Sequence, residues 1–548
     1  MKMKKIIGAL IVASLSTALF VGCGGKGSDG ATTKGVVNLP TGAVKTLDSV
    51  KSSDSESFNI IQNTQETLLV DNNDKPEPGA AESFEVSKDG KTYTFKLRDG
   101  LKWSDGKELT SKDFKYAWLR LLDPKVAASY SFFLFDVVNA KDYFDGKAKA
   151  EDVGIKTPDD KTIVVQLNNP LPYFDQLVAF PGLSPEREDV VKEQGDKYGT
   201  DPSKLVYSGP FVVSNWQRGS KLELKKNPNY WNSDNTKLDT VNLLEVKETN
   251  TIYQMFTNNQ LDAMGGTGEY LAKLEEGAKS GKWNEVNGEA ASVFYTQFNF
   301  GKGANEALKS PKVRLAISLA VNREGFTKDV LKRDVPAYGL VPQGIYCGKT
   351  DYRDDVKQPL EEVKDKDPKK LFVEGLKDLG LDQDPSKYTF KYLLQGSDST
   401  SKTQGEYMQN NWKKTLGINV ELVTSADFSD FLTKQENGEF DFASSGWGAD
   451  YNDPMTFLDL FGKDNGNNSG KYNDAKVNNL LNKLQNETNM DKRLQMYKEI
   501  EEIEVVGDPA VAPTYFREKY SFQKKNLKGL QLPNFGGSYQ LRWTSIEK

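Results

Sequence analysis

The residues best equipped for chemistry fall in one stretch of nine, Gly446-Trp447-Gly448-Ala449-Asp450-Tyr451-Asn452-Asp453-Pro454. Its two glycines carry no Cβ and let a neighbour approach the backbone closely. Trp447 and Tyr451 offer flat apolar faces with a polar edge. Asp450 and Asp453 set carboxylates among them, and Pro454 fixes the exit. Residues 440–443 read as a short strand entering this loop, and residues 455–461 as a helix leaving it. A carboxylate on a loop between rigid elements, beside aromatic walls, suits a ligand with a positive charge and an extended backbone. A structural turn around a core tryptophan would use the same residues, so the rest of the chain has to decide.

The most restrictive fact in the composition is that 548 residues contain no histidine. Ser-His-Asp and Cys-His catalysis in their usual forms are excluded, and the commonest transition-metal ligand is missing. Neither a Cys-x-x-Cys, a P-loop nor a Gly-x-Ser-x-Gly string occurs, so no cofactor or metal is expected. Paired carboxylates remain possible catalysts, but 78 acidic residues hide any such pair. The length implies two or three domains. A net charge of −6 without a Lys/Arg block argues against a nucleic-acid partner.

The elements that must position the nine residues follow from periodicity. Residues 1–5 are cationic and 6–20 apolar, too short a run for a membrane span, so residues 1–22 read as an export signal. It ends in Leu19-Phe20-Val21-Gly22-Cys23, which resembles a bacterial lipobox with Phe20 where the pattern usually has Leu. Cys23 is then the expected lipidation site, and residues 23–34 a small, polar tether. An ordinary signal peptide with an incidental cysteine is the alternative. Cys347 has no expected disulfide partner. Residues 58–70 carry Ile60, Ile61, Thr64, Leu68 and Leu69 at helical spacing, before Pro76 and Pro78 break the chain. Residues 85–87 and 92–97 alternate as strands around Asp89-Gly90, a hairpin signature. Thr110 and Asp113 open a helix whose face is Phe114, Ala117, Trp118, Leu121 and Leu122. Leu480, Leu481 and Leu484, then Leu494, Tyr497, Ile500 and Ile503, read as core faces of two further helices. Gly265-Gly266-Thr267-Gly268 lacks the spacing of a phosphate-cradling loop and reads as a plain loop.

Several of these stretches carry a resemblance. Ala81-Glu82-Ser83-Phe84, then Lys88 to Gly106 with Trp103, and Leu109-Thr110-Ser111-Lys112-Asp113-Phe114 closely resemble the signature of bacterial extracellular solute-binding proteins of the oligopeptide and dipeptide type. Tyr207-Ser208-Gly209-Pro210-Phe211, Leu224 to Trp231, Pro311 to Arg323, and Trp447 to Pro454 resemble its later blocks in the same order. The resemblance implies an α/β, two-lobed periplasmic-binding-protein-like fold of the type II, large peptide-binding class, with an additional inserted domain. Lobe I is expected from residues 35–75, 200–295 and 512–548, the inserted domain from 76–199, and lobe II from 296–511. Short aromatic strands at 294–300 and 513–516 are the expected crossings. It further implies a monomeric, non-enzymatic receptor, lipid-anchored on the outer face of the cell membrane, which captures peptides and delivers them to an ABC transporter's permease and ATPase. A receptor for signalling peptides or another solute, or a secreted carboxylate-dependent hydrolase, are the alternatives.

Site residues follow from the same match. In the family, the aspartate of Trp-x-x-Asp-Tyr-Asn pairs with the peptide's α-ammonium, and it maps to Asp450. That amine, with a pKa of about 7.7–8.0, is mostly cationic at neutral pH. Capping the helix near 455 is the alternative role for Asp450 and the expected one for Asp453. Trp447 and Tyr451 are expected as walls or core, with Asn452 beside them. Gly446, Gly448 and Ala449 would pair their backbones with an extended peptide. Tyr515 or Phe516 would line the same cleft. Enterobacterial relatives place an arginine where this chain has Ser444, so the peptide C-terminus must be held differently. Without histidine, affinity is expected to be flat between roughly pH 5.5 and 7.

Overall fold

The computed structural model describes residues 35–266, 270–426, 428–463 and 465–547. The export signal, Cys23 and the tether lie outside the described residues, as do Thr267 and Gly268. Three sheets of four or more strands organise the rest.

The hairpin read from sequence opens one of them. Ala81–Val86, Thr92–Leu97, Thr162–Gln166 and Ile155–Asp159 lie side by side in that order. Tyr93, Phe95 and Leu97 alternate into the core, and Gly90 takes the left-handed φ of +70° at the turn. Helix Ser111–Leu121 covers this sheet. Its Thr110–Asp113 capping box forms, and Phe114, Ala117, Trp118 and Leu121 are buried along one face.

A second sheet runs Val36–Thr41, Thr240–Glu245, Lys221–Lys226 and Phe211–Gln217, the first pair parallel and the others antiparallel. Beside it, helix Ser55–Thr64 starts on the Asp54 side chain and ends six residues before the 58–70 reading allowed. The reason is tertiary. Glu66 is buried against Arg542 (2.8 Å) and the indole N–H of Trp231 (2.9 Å). The next residues, Leu69–Asp71, pair as a strand with Pro76–Pro78. Leu68 and Leu69 are buried as expected, but beyond the helix, at a bend and at the start of the strand.

The third sheet runs Ala263–Gly265, Val511–Gln523, Asn284–Phe298, Phe442–Gly448, Thr389–Leu393 and Asn419–Val423, with Val335–Pro336 also on the second of these. Its axis is the antiparallel pair of 15 and 13 residues, each over 40 Å long at about 3.3 Å per residue. The crossings expected as short strands are therefore long ones. Two register shifts at bulges, near 289–293 and 294–295, let one strand twist without ending. At one end Phe522 packs with Phe256, Met264 and Trp283. At the other, Phe298 and Ala512 pack with Phe390, Trp412 and Phe442. Helices Ala475–Leu484 and Met490–Glu502 turn Leu480, Leu484, Tyr497 and Ile500 inward as read.

Candidate ligand-binding site

Phe442–Gly448 is a strand, so Gly446, Trp447 and Gly448 belong to a sheet and not to the loop. Along one edge all seven residues pair with Ser292–Phe298, from Gly448 opposite Ser292 to Phe442 opposite Phe298. Along the other edge only Phe442 and Ala443 are paired, with Tyr392 and Leu393. From Ser444 to Gly448 that edge has no strand partner among the described residues.

The two glycines serve different purposes. A Cβ on Gly446 would lie 2.6 Å from the ring of Phe294. Glycine there makes room for that ring, which stacks on Tyr515 at 4.6 Å with parallel planes. A Cβ on Gly448 would meet nothing within 4 Å. Ala449 departs from its expected role, because its N–H already donates to the Ala291 carbonyl (2.7 Å) and it is buried.

The loop proper begins at Asp450, and its two aspartates have opposite circumstances. Asp453 Oδ1 accepts the Met455 N–H (2.9 Å) at the start of helix Met455–Leu458 and the Tyr497 hydroxyl (2.6 Å). Burial raises its pKa, while Arg493 and these donors pull it back. It is the cap the sequence predicts. Asp450 caps nothing: its own N–H donates to Thr456 Oγ1 (3.1 Å). Among the described residues its carboxylate has no hydrogen-bond or ion-pair partner, and burial pushes its pKa up to about 7. Trp447 is half-buried against the core around Val293 and Phe457, its N–H 3.5 Å from Thr456 Oγ1. Tyr451 stacks face to face on Tyr173 at 4.3 Å, bridging two cores. Asn452 is buried and spends its amide on backbone, accepting from Tyr346 N–H (2.8 Å) and donating to the Asp74 carbonyl (3.3 Å). That makes Asn452 a brace for the loop.

Asp450 and Tyr451 line a narrow cavity of about 30 Å³ together with Asp71, Phe180, Gln540 and Arg542. Asp71 accepts the Asp74 N–H (3.0 Å), and its pKa is also raised to about 7, first by burial and then by Asp74. Tyr515 lies elsewhere. With Ser444, Phe294, Tyr392, Asp398 and Arg517 it lines a second cavity of about 250 Å³. The free edge from Ser444 to Gly448, about 13 Å of strand, joins the two. Phe516 is buried in the neighbouring core. Asp71, Gln540 and Arg517 carried no signal in the sequence, since only long-range folding brings them to these cavities.

Comparison with known proteins identifies the fold and the family. Residues 75–469 match the family of bacterial extracellular solute-binding proteins, family 5. The chain is 33% identical to the oligopeptide-binding protein OppA of Bacillus subtilis, over 96% of each. Among solved structures, the substrate-binding domain of an oligopeptide ABC transporter from Bacillus anthracis superposes with a TM-score of 0.77, 34% identity, and coverage of 94% of this chain and 99% of that one. Listeria monocytogenes OppA bound to peptide gives 0.76, 32%, 94% and 100%. The fold is the α/β, two-lobed periplasmic-binding-protein fold, and the chain belongs to the family 5 extracellular solute-binding proteins.

Proposed function

We propose that this protein is an extracytoplasmic receptor that captures oligopeptides in a closing cleft and hands them to an ABC transporter. The observation that carries the reading is the unpartnered Asp450 carboxylate at one end of a free strand edge. A peptide laid along Ser444–Gly448 would add a strand, giving main-chain hydrogen bonds that do not depend on its sequence. Its α-ammonium would meet Asp450 in a charge-assisted hydrogen bond, which a water-poor cavity strengthens. Gly448 leaves open space on that path, Tyr451 walls one end of it, and Tyr515 lines the far end.

In this reading 35–75, 200–295 and 512–548 form lobe I, 296–511 lobe II, and 76–199 the inserted domain. The paired strands Asn284–Phe298 and Val511–Gln523 would join the lobes as the hinge. The receptor works as a monomer, tethered to the outer face of the membrane through lipid on Cys23 and the 23–34 segment. Two or more acyl chains hold a protein stably where one is marginal. Changing Cys23 to Ala should therefore move the protein from the membrane fraction to the soluble one; retention would refute the anchor.

Native mass spectrometry of protein purified without refolding tests the receptor reading. Peptide adducts should be present, and peptides added to the stripped protein should bind and be recovered intact. Cleaved products would instead point to Asp450 and Asp71 as a hydrolytic pair, and protein that neither retains nor rebinds peptide would end the proposal.

A further inference from the structure

The cavity around Asp450 holds more unmet acceptors than one ammonium group can satisfy. Asp71 takes a single backbone N–H and makes no ion pair. Lys519 acts on it electrostatically but gives its protons to the carbonyls of Leu532 and Pro533. Gln540 is 3% exposed, and its side-chain oxygen has no donor among the described residues. A buried amide oxygen of this kind is normally paired. Its neighbours in the lining are satisfied. Gln62 bridges Gly537 and Tyr539, Gln65 bridges Ser208 and Val206, and Thr67 donates to Leu69. The one cation in the lining, Arg542, is matched by Glu66 and Tyr230. Only its Nε–H is without an acceptor.

What remains unmet is thus two carboxylates, one amide oxygen and one N–H donor, all facing one narrow cavity that a guest would have to widen. The guest that satisfies them carries two cationic donor groups and one acceptor close together. The first residue of a peptide has that form when its side chain is lysine or arginine, since its own carbonyl supplies the acceptor. Resting on the receptor reading above, we infer that this cavity selects peptides with a basic first residue. Asp450 holds the α-ammonium, and Asp71 with the Gln540 oxygen holds the side-chain cation. A neutral first residue still binds through Asp450, but leaves Asp71 and Gln540 dry and unpaired.

The test needs no variant to begin. Calorimetry compares Lys-Ala-Ala-Ala with norleucine-Ala-Ala-Ala, which keeps the chain length and drops the charge. Ala-Ala-Ala-Lys and Ala-Ala-Ala-norleucine, at 0.15 M salt or above, measure general attraction to an acidic protein. Lysine in first position should bind roughly 10–100-fold more tightly than norleucine, with no such gap in fourth position. Asp71→Asn should close the first-position gap to under about threefold, chiefly by weakening the lysine-led peptide. Equal binding of lysine-led and norleucine-led peptides would overturn the selectivity and leave the receptor reading standing. A gap that survives Asp71→Asn would overturn the role of Asp71. Failure of every peptide to bind would remove the receptor reading, and this inference with it.

Discussion

The two cavities at either end of strand Phe442–Gly448 handle charge in contrasting ways. At the Asp450 end the unpaired groups are acids in a buried setting, and Asp450 and Asp71 are both pushed up to about 7. At the Tyr515 end the charged groups are Asp398, which caps a helix by accepting the Thr400 and Ser401 N–H groups, and Arg517. The Arg517 guanidinium is exposed and lies 4.4 Å over the Phe294 ring, which in turn stacks on Tyr515. A solvated guanidinium gains little from meeting an anion, whereas a desolvated carboxylate gains a great deal from meeting a cation. In the proposed receptor, one end of the strand therefore discriminates by charge. The other offers aromatic surface and hydroxyls from Tyr392, Ser444 and Thr514, a broader form of contact.

If that contrast is right, charge removal at Asp450 has the largest effect in the molecule. Asp450→Asn keeps the size of the side chain and should cost about 3–5 kcal/mol, or two to four decades in peptide affinity, because the ammonium is left buried and unpaired. N-acetylating the peptide removes the same pair from the other side. The acetylated peptide should then lose much less on Asp450→Asn than the free peptide does. Calorimetry on the four combinations measures this. Equal losses for both peptides would mean that Asp450 acts elsewhere, and the charged end would have to be sought among other acids.

The sequence was most legible where structure is decided locally. The Asp89-Gly90 turn, the Thr110–Asp113 box and the Asp453 cap each depend on residues a few positions apart, and each forms. Asp450 was singled out through its motif, and the structure leaves its carboxylate buried without a partner among the described residues. The helix at 58–70 was misread because its end is set by Glu66, whose partner Arg542 lies 476 residues away. Gly446 and Gly448 suggested a loop because glycine is unfavourable in strands. Here a ring from the neighbouring strand takes the place of the missing side chain at one of them. Asp71 and Gln540 were invisible for the same reason as Arg542: one acid or one amide among many becomes a site only when distant segments meet.

The absence of histidine suggested an affinity indifferent to mildly acid pH, and the burial of Asp450 reverses that expectation. Its free carboxyl titrates at about 7 and pairs with an ammonium only when ionised. Affinity should therefore fall as pH drops, by roughly 15-fold between pH 7 and 5.5. Asp459, raised to about 7 by burial, Asp450 and Asp453, shares the proton uptake, so the transition belongs to the group. Asp71 and Arg542 across the cavity and the Tyr130 hydroxyl complete the charged and titratable surroundings. Acid should weaken the lysine-led peptide further, through Asp71. In Asp450→Asn the profile for a norleucine-led peptide should flatten; an unchanged slope there would assign the titration to another group.

The smallest effect separates the two glycines between the cavities. Gly446→Ala places a methyl 2.6 Å from the Phe294 ring, which cannot yield without disturbing its stack on Tyr515 and the guanidinium above it. Such overpacking costs about 1–2 kcal/mol, visible as a lower midpoint in thermal or urea unfolding of the unliganded protein. Gly448→Ala meets open space, so stability should stay within about 0.5 kcal/mol. Binding should show the reverse emphasis. A methyl at 448 stands on the exposed path of the guest and should weaken a tetrapeptide severalfold, with the unfolding midpoint unmoved. If Gly448→Ala leaves affinity untouched, the peptide does not run along this edge. The two cavities would then be separate sites, and the strand between them only part of the sheet.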